Sequence, residues 1–84
     1  MAYLIVESSY DPPLSEERLN ELSAALQPCI DVRGIRRLRS YISSDRRRGL
    51  CEFVAADAET LREAYRTARV NFDRVWAADL YGSP

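Results

Sequence analysis

The fold is decided by residues 35–56, which form the stretch IRRLRSYISSDRRRGLCEFVAA. Two segments in which apolar and polar residues alternate flank a polar turn at residues 43–49, and this arrangement is typical of a β-hairpin. The stretch also carries the densest charge in the chain and one of its two cysteines. The three consecutive arginines of the turn, residues 46–48, are expected to be solvated. We place the other elements around this hairpin.

The segment before the hairpin predicts a strand followed by a helix. Residues 2–9 are rich in β-branched and aromatic side chains and are followed by an Asp-Pro-Pro sequence, which predicts a strand and its end. Ser15 is expected to cap a helix, because two glutamates follow it and favour the positive end of the helix dipole. Leucines recur at helical spacing between residues 19 and 26 and define the buried side. Pro28 is expected to end this helix.

The hairpin and the segment after it predict three strands and one more helix. The hairpin strands are expected at residues 35–43 and 50–55. Asp57 is expected to cap a second helix. The apolar face of that helix is expected to consist of Ala58, Leu61, Tyr65 and Ala68. A last strand is predicted at residues 74–81, followed by a tail at residues 82–84.

The element order predicts one domain of the α+β class spanning residues 1–84. Strand, helix, strand, strand, helix, strand is the ferredoxin-like βαββαβ arrangement. Both helices should pack on one face of a four-stranded antiparallel sheet and leave the other face open. A chain of 84 residues buries only about 60–65% of the surface that it exposes when unfolded. We therefore expect it to gain stability by pairing with a second copy.

The open face of the sheet is the predicted site. Because side chains alternate between the two faces of a strand, Leu38, Ser40, Ile42 and Cys51 should point towards the helices. The opposite face should then carry apolar and aromatic groups, such as Tyr3 and Val54, among two carboxylates and two arginines. The candidate ligand-binding residues on this face are Glu7, Arg37, Arg39, Tyr41, Glu52 and Trp76.

Three interpretations of this face are open. It is too apolar to be left in water, so it predicts a homodimer or higher assembly in which the charges pair within or across the interface. A pocket between the sheet and its partner, in which the same charges bind a small molecule or an anion, is compatible with that interface. The alternative is a dimeric α/β-barrel enzyme, monooxygenase-like or isomerase-like, that acts on a small hydrophobic substrate, which is an analogy of fold only.

The composition argues for binding more than for catalysis. The sequence contains no histidine, which removes the commonest general base and excludes a Ser-His or Cys-His nucleophile. Acid–base chemistry would depend on Glu7, Tyr41, Cys51 or Glu52, and more often such carboxylates are balanced by nearby arginines. We assign no catalytic residue and no metal ligand.

Other partners are not expected. The net charge of −1 gives no general attraction to nucleic acid or to an anionic membrane, and no segment reaches membrane-spanning length. Residues 48–54 are faintly similar to an RNA-recognition motif, but the base-stacking positions would be Leu50 and Glu52. The first residues have no basic leader, so the cytoplasm is the expected location. Cys29 and Cys51 are expected to be buried thiols.

Several motifs together carry a family resemblance. They are Tyr3-Leu4-Ile5-Val6-Glu7, Pro12-Pro13-Leu14-Ser15, Arg39-Ser40-Tyr41-Ile42-Ser43-Ser44-Asp45, Cys51, Asp57-Ala58-Glu59, Arg62-Glu63 and Phe72-Asp73-Arg74-Val75. The chain resembles the small ferredoxin-like family of unknown function that includes a bacterial nickel-binding protein. The resemblance implies a dimer or larger assembly and, in at least one member, metal binding through histidines. Relatives place those histidines where this chain has Arg39 and Ala64, so nickel binding by that route is not expected here.

Overall fold

The computed structural model describes residues 1–82, and the predicted tail residues Ser83 and Pro84 lie outside this range. The elements follow the predicted order: β1 (Ala2–Ser9), α1 (Glu16–Asp31), β2 (Arg36–Ile42), β3 (Arg48–Ala55), α2 (Ala58–Ala68) and β4 (Arg74–Ala77). The ferredoxin-like α+β prediction is therefore confirmed. Neither helix of the described chain has the length and hydropathy of a membrane-spanning segment.

The four strands form one antiparallel sheet in the order β2-β3-β1-β4. One face of the sheet supplies Leu4, Val6, Phe53 and Val75 to a core that also contains buried residues of both helices. The helical core residues are Leu26, Ile30, Leu61, Ala64 and Tyr65. Because the core joins alternate strand residues to both helices, both helices lie on this face and the other face stays open, as predicted.

Both predicted helix caps are confirmed. The Ser15 hydroxyl accepts a 3.0 Å hydrogen bond from the backbone N–H of Arg18. The Asp57 carboxylate accepts a 2.8 Å bond from the backbone N–H of Thr60. Each cap satisfies a backbone donor that has no partner inside its helix, which fixes where the helix begins.

Pro28 does not end α1, contrary to the prediction. The helix continues for one turn and ends at Asp31. Ile30, in that last turn, is only 1% exposed and belongs to the core, so tertiary packing holds the turn despite the hydrogen bond that proline cannot donate. Arg33 adds support, because its Nη1 donates a 2.9 Å bond to the carbonyl of Cys29.

The last strand is shorter than predicted and ends at Ala77. Leu4 pairs with Ala77, and the N–H of Ala78 donates to the carbonyl of Tyr3 at 2.9 Å. In this register the next residue of the chain, Asp79, would lie opposite Ala2, where β1 begins. In this register, residues 80 and 81 of the predicted strand would lie beyond the start of β1 and have no partner there.

The turn of the central hairpin is held by its own backbone and by the connection between β1 and α1. The carbonyls of Arg46 and Arg47 accept 2.8 Å hydrogen bonds from the N–H groups of Leu14 and Tyr10. The side chains of these two arginines make surface ion pairs, at 3.7 Å with Glu16 and 3.4 Å with Asp11. Pairs this exposed contribute little to stability, so the backbone contacts dock the turn.

Candidate functional site

The open face is organised by a cross-strand row that joins β2 to β4. Arg39 lies opposite Glu52, Glu52 opposite Ile5, and Ile5 opposite Trp76. Glu52 is only 8% exposed. Its Oε1 lies 2.6 Å from Arg39 Nε, and its Oε2 accepts a 2.6 Å hydrogen bond from the Tyr3 hydroxyl. The hydrogen bond to Glu52 raises the pKa of Tyr3, and the buried carboxylate is compensated by both neighbours.

A second row carries Glu7. The Trp76 indole N–H donates a 2.7 Å hydrogen bond to Glu7 Oε2, and Arg74 Nε lies 3.6 Å from the same oxygen. Sequence reasoning missed Arg74, although antiparallel pairing of the first and last strands could have indicated that it lies opposite Glu7. Across the sheet, Glu7 neighbours Leu50, which in turn pairs with Tyr41. The Tyr41 side chain is free of the core, with 54% of the residue exposed.

Arg37 does not lie on the open face, and that part of the prediction is wrong. A β-bulge separates Arg37, which lies opposite Phe53, from Arg39, which lies opposite Glu52. Leu38 is the extra residue between them, without a partner in the register. The bulge turns Arg37 towards the helices, where its Nη1 donates a 2.9 Å hydrogen bond to the hydroxyl of Ser23 in α1. The other candidate residues lie on the open face, as predicted.

A cavity of about 50 Å³ lies on the helix side of the sheet, around Arg37. Its polar lining includes Tyr10, Ser23, Ser40, Cys51 and Tyr65. Cys51 faces the helices, as predicted, and its Sγ accepts a 3.1 Å hydrogen bond from the Ser40 hydroxyl. Sequence reasoning did not find this cluster, because a single sequence carries no clear signal for the bulge that brings Arg37 to it.

Burial governs the tyrosines of this cavity. The pKa of Tyr65 lies far above its ordinary value, mainly because the phenol is buried and to a lesser extent because Cys51 is close to it. Burial also raises the pKa of Tyr10. Loss of hydration disfavours the charged phenolate, so both hydroxyls remain neutral hydrogen-bonding groups at physiological pH.

The donor groups of the chain do not fit a nickel site. Nickel prefers imidazole or thiolate ligands, and the sequence has no histidine. Among residues 1–82, no three histidine, cysteine, aspartate or glutamate side chains come close enough together to share a metal ion. The carboxylates of Glu7 and Glu52 are instead held by arginines of the open face.

Comparison with known proteins places this fold and sequence in context. None of the curated proteins matches the sequence. The structure is similar to the crystal structure of SCO4226 from Streptomyces coelicolor A3(2), with a TM-score of 0.84 and 11% sequence identity, over 96% of this chain and 100% of that chain. At this identity the likeness establishes the fold alone. The family described as nickel responsive proteins, SCO4226-like, matches residues 3–77. The chain therefore belongs to the SCO4226-like family of nickel responsive proteins.

Proposed function

We propose that this chain is a non-catalytic binding domain that forms a homodimer through its open sheet face and binds a small molecule or an anion. The observation that carries the proposal is an open face that combines exposed aromatic side chains with two carboxylates, Glu7 and Glu52, that are already paired with arginines. Tyr41 and Trp76 are 54% and 42% exposed on it. Aromatic residues of this kind are enriched in protein interfaces.

A second copy of the chain is the occupant that suits this face. The sheet is four strands wide, and its strands of 8, 7, 8 and 4 residues offer roughly 440 Å² in projection, at about 3.4 Å per residue and about 4.8 Å between strands. That is of the same order as the ~800 Å² that each partner buries in a stable interface. The ion pairs of Glu52 with Arg39 and of Glu7 with Arg74 would enter such an interface without unpaired charge.

Nickel binding through histidines is not part of this proposal, although the family is described by its response to nickel. The chain has no imidazole to offer. Arg39 is a cation that repels a metal ion, and its Nε is engaged with the carboxylate of Glu52 at 2.6 Å. We also propose a cytoplasmic location, because both cysteines are free thiols, which a reducing compartment maintains.

The enzyme alternative receives no support from the same contacts. A monooxygenase-like or isomerase-like site would need Glu7, Arg39 or Tyr41 available inside an enclosed apolar pocket. Glu7 accepts the hydrogen bond from Trp76, and Arg39 is paired with Glu52. Groups held in this way are poor proton donors and acceptors for a substrate.

The proposal is tested by the concentration dependence of self-association. Trp76→Ala removes an exposed indole from the β4 side of the open face. It should shift the monomer–dimer equilibrium towards monomer by at least tenfold, because aromatic interface residues often contribute about 2 kcal/mol or more. Val32→Ala is the matched control, since Val32 is 81% exposed at the end of α1 and away from the sheet.

Sedimentation velocity over a wide concentration range measures this equilibrium. A wild-type chain that stays monomeric at high micromolar concentration contradicts the dimer. If Trp76→Ala associates as strongly as the control Val32→Ala, the copies meet through another surface.

A further inference from the structure

The cavity around Arg37 has the composition of a small binding site. It lies between α1 and the sheet, and its volume of about 50 Å³ has room for roughly three to five water-sized groups. Leu26 and Ile42 form part of its apolar wall. Ser40, at its rim on the edge strand β2, is exposed to solvent, so a small solute has access from outside.

Arg37, which lines this cavity, has unused hydrogen-bond donors. Its Nη1 donates to Ser23 at 2.9 Å. Its Nε and Nη2 each expose less than 1 Å² to solvent and donate to no residue of the described chain. These two nitrogens form one edge of the guanidinium, which presents two parallel N–H groups. Two buried donors on one edge, both without a partner, require an acceptor.

The described residues supply no counter-charge for Arg37. None of the ion pairs within residues 1–82 involves this guanidinium, and no aspartate or glutamate lines the cavity. By contrast, Arg39 on the same strand is paired with Glu52 at 2.6 Å. A guanidinium stays protonated in proteins, so the cavity carries one uncompensated positive charge.

The remaining polar groups suit an anion as well. The hydroxyl of Ser23, which accepts the bond from Arg37, and the phenol of Tyr65 line the same space and are able to donate hydrogen bonds. Burial raises the pKa of Tyr65, so its proton remains available for donation. A positive charge surrounded by neutral donors, without a carboxylate, is the environment that stabilises an anion.

We propose that this cavity binds a small monovalent oxyanion, of the size of formate or nitrate, with two of its oxygens on the Nε–H and Nη2–H groups of Arg37. The bidentate edge matches a planar pair of oxygens. One guanidinium balances one negative charge, and the volume holds three or four non-hydrogen atoms. The inference rests on the proposed binding role, but not on the dimer, because the cavity lies on the opposite side of the sheet from the open face.

The test observes the arginine side chains of the wild-type chain directly. The Nε–H signals are followed by ¹⁵N NMR during titration with sodium formate or sodium nitrate, at constant ionic strength set by sodium chloride. The signal of Arg37, assigned in the wild type by through-bond correlation from its backbone amide, should shift saturably in the millimolar range, which is what a ligand of three or four heavy atoms supports. Signals of surface arginines should drift without saturation.

The matched variants are Arg37→Gln and Arg36→Gln, which remove the same charge from adjacent positions of β2. Arg36 is exposed and lies opposite Val54 on the open face. The wild type and Arg36→Gln should show the same saturable rise in Tm with formate, whereas Arg37→Gln should lose it. The NMR titration decides the question in the wild type if Arg37→Gln does not fold.

Three outcomes overturn the inference: no saturable shift of the Arg37 signal, equal responses of both glutamine variants, and saturation by sulfate in place of the monovalent ions. The titration is repeated in Trp76→Ala, where the anion response should persist even when self-association is weakened. If the wild-type chain associates but shows no saturable response to the anion, the anion site is overturned and the dimer is not affected. An intact anion response in a chain that never associates overturns the dimer alone.

Discussion

Arg39 and Glu52 face each other across the β2–β3 ladder with 2.6 Å between Nε and Oε1, although the side chain of Glu52 is 11% exposed and that of Arg39 is 60% exposed. The largely buried carboxylate of Glu52 therefore has two stabilising partners. The exposed guanidinium of Arg39 lies at Oε1, and the hydroxyl of Tyr3 donates a hydrogen bond to Oε2. Removing the cation leaves a buried charge, which costs more than the ion pair itself contributes.

The first prediction follows from this asymmetry. Arg39→Ala should lower the free energy of unfolding by about 1–3 kcal/mol, because the buried side chain of Glu52 loses the cation that lies 2.6 Å from its Oε1. Arg36→Ala, at an exposed position of the same strand, should change stability by less than about 0.5 kcal/mol. Urea unfolding measures both. Adding Glu52→Gln to Arg39→Ala should recover part of the loss, and equal losses in the two alanine variants would contradict this account.

The second prediction concerns Gly49, over which Tyr10 packs. A Cβ at this position would lie 2.9 Å from the Tyr10 hydroxyl oxygen and 3.1 Å from its Cε2 atom. Gly49→Ala should therefore destabilise the chain by about 1–3 kcal/mol, since the ring has to move. In a Tyr10→Ala background the same substitution should cost clearly less. If Gly49→Ala lowers the free energy of unfolding equally in both backgrounds, the added methyl group does not act through Tyr10.

The third prediction concerns alkaline pH. Burial raises the pKa of Tyr65, whereas in the unfolded chain a tyrosine ionises near pH 10. The folded state therefore binds more protons than the unfolded state above about pH 10. This contribution to stability is fully present below that pH and is lost as the pH rises further, by up to about 1.4 kcal/mol per pH unit.

Urea unfolding between pH 8 and about pH 11 measures this slope. Tyr65→Phe should flatten the decline whatever it does to stability at neutral pH, because phenylalanine has no proton to lose. Tyr81→Phe is the control, since Tyr81 is 89% exposed. Equal slopes in the wild type and Tyr65→Phe would mean that other groups govern alkaline unfolding.

The fourth prediction concerns nickel. Calorimetric titration of nickel into the untagged chain at neutral pH should give only heats of dilution, because histidine is absent and the open-face carboxylates are held by Arg39 and Arg74. The same titration with a histidine-tagged chain serves as a positive control for the measurement. A saturable isotherm for the untagged chain would establish a nickel site built from other ligands.

Local patterns accounted for most of the architecture. Ser15 and Asp57 cap helices through bonds to backbone groups three residues away, so their effect is readable from adjacent sequence. Alternation likewise placed Glu7, Glu52 and Trp76 on the open face, because neighbouring residues of a regular strand point to opposite sides. These features depend on the chain within a few residues.

Tertiary structure decided what depends on a partner strand or helix. The register against β3 created the bulge at Leu38, which turned Arg37 towards α1. The start of β1 at Ala2 leaves residues 80 and 81 of the predicted last strand without a partner strand. Packing of Ile30 carried α1 past Pro28. Periodicity and capping are local, so the amino-acid pattern was enough to predict the element order and the charged, aromatic open face. The position of the Arg37 guanidinium beside a cavity, without a counter-charge, depends on the fold, because a one-residue bulge reverses a side chain without any mark in the local pattern.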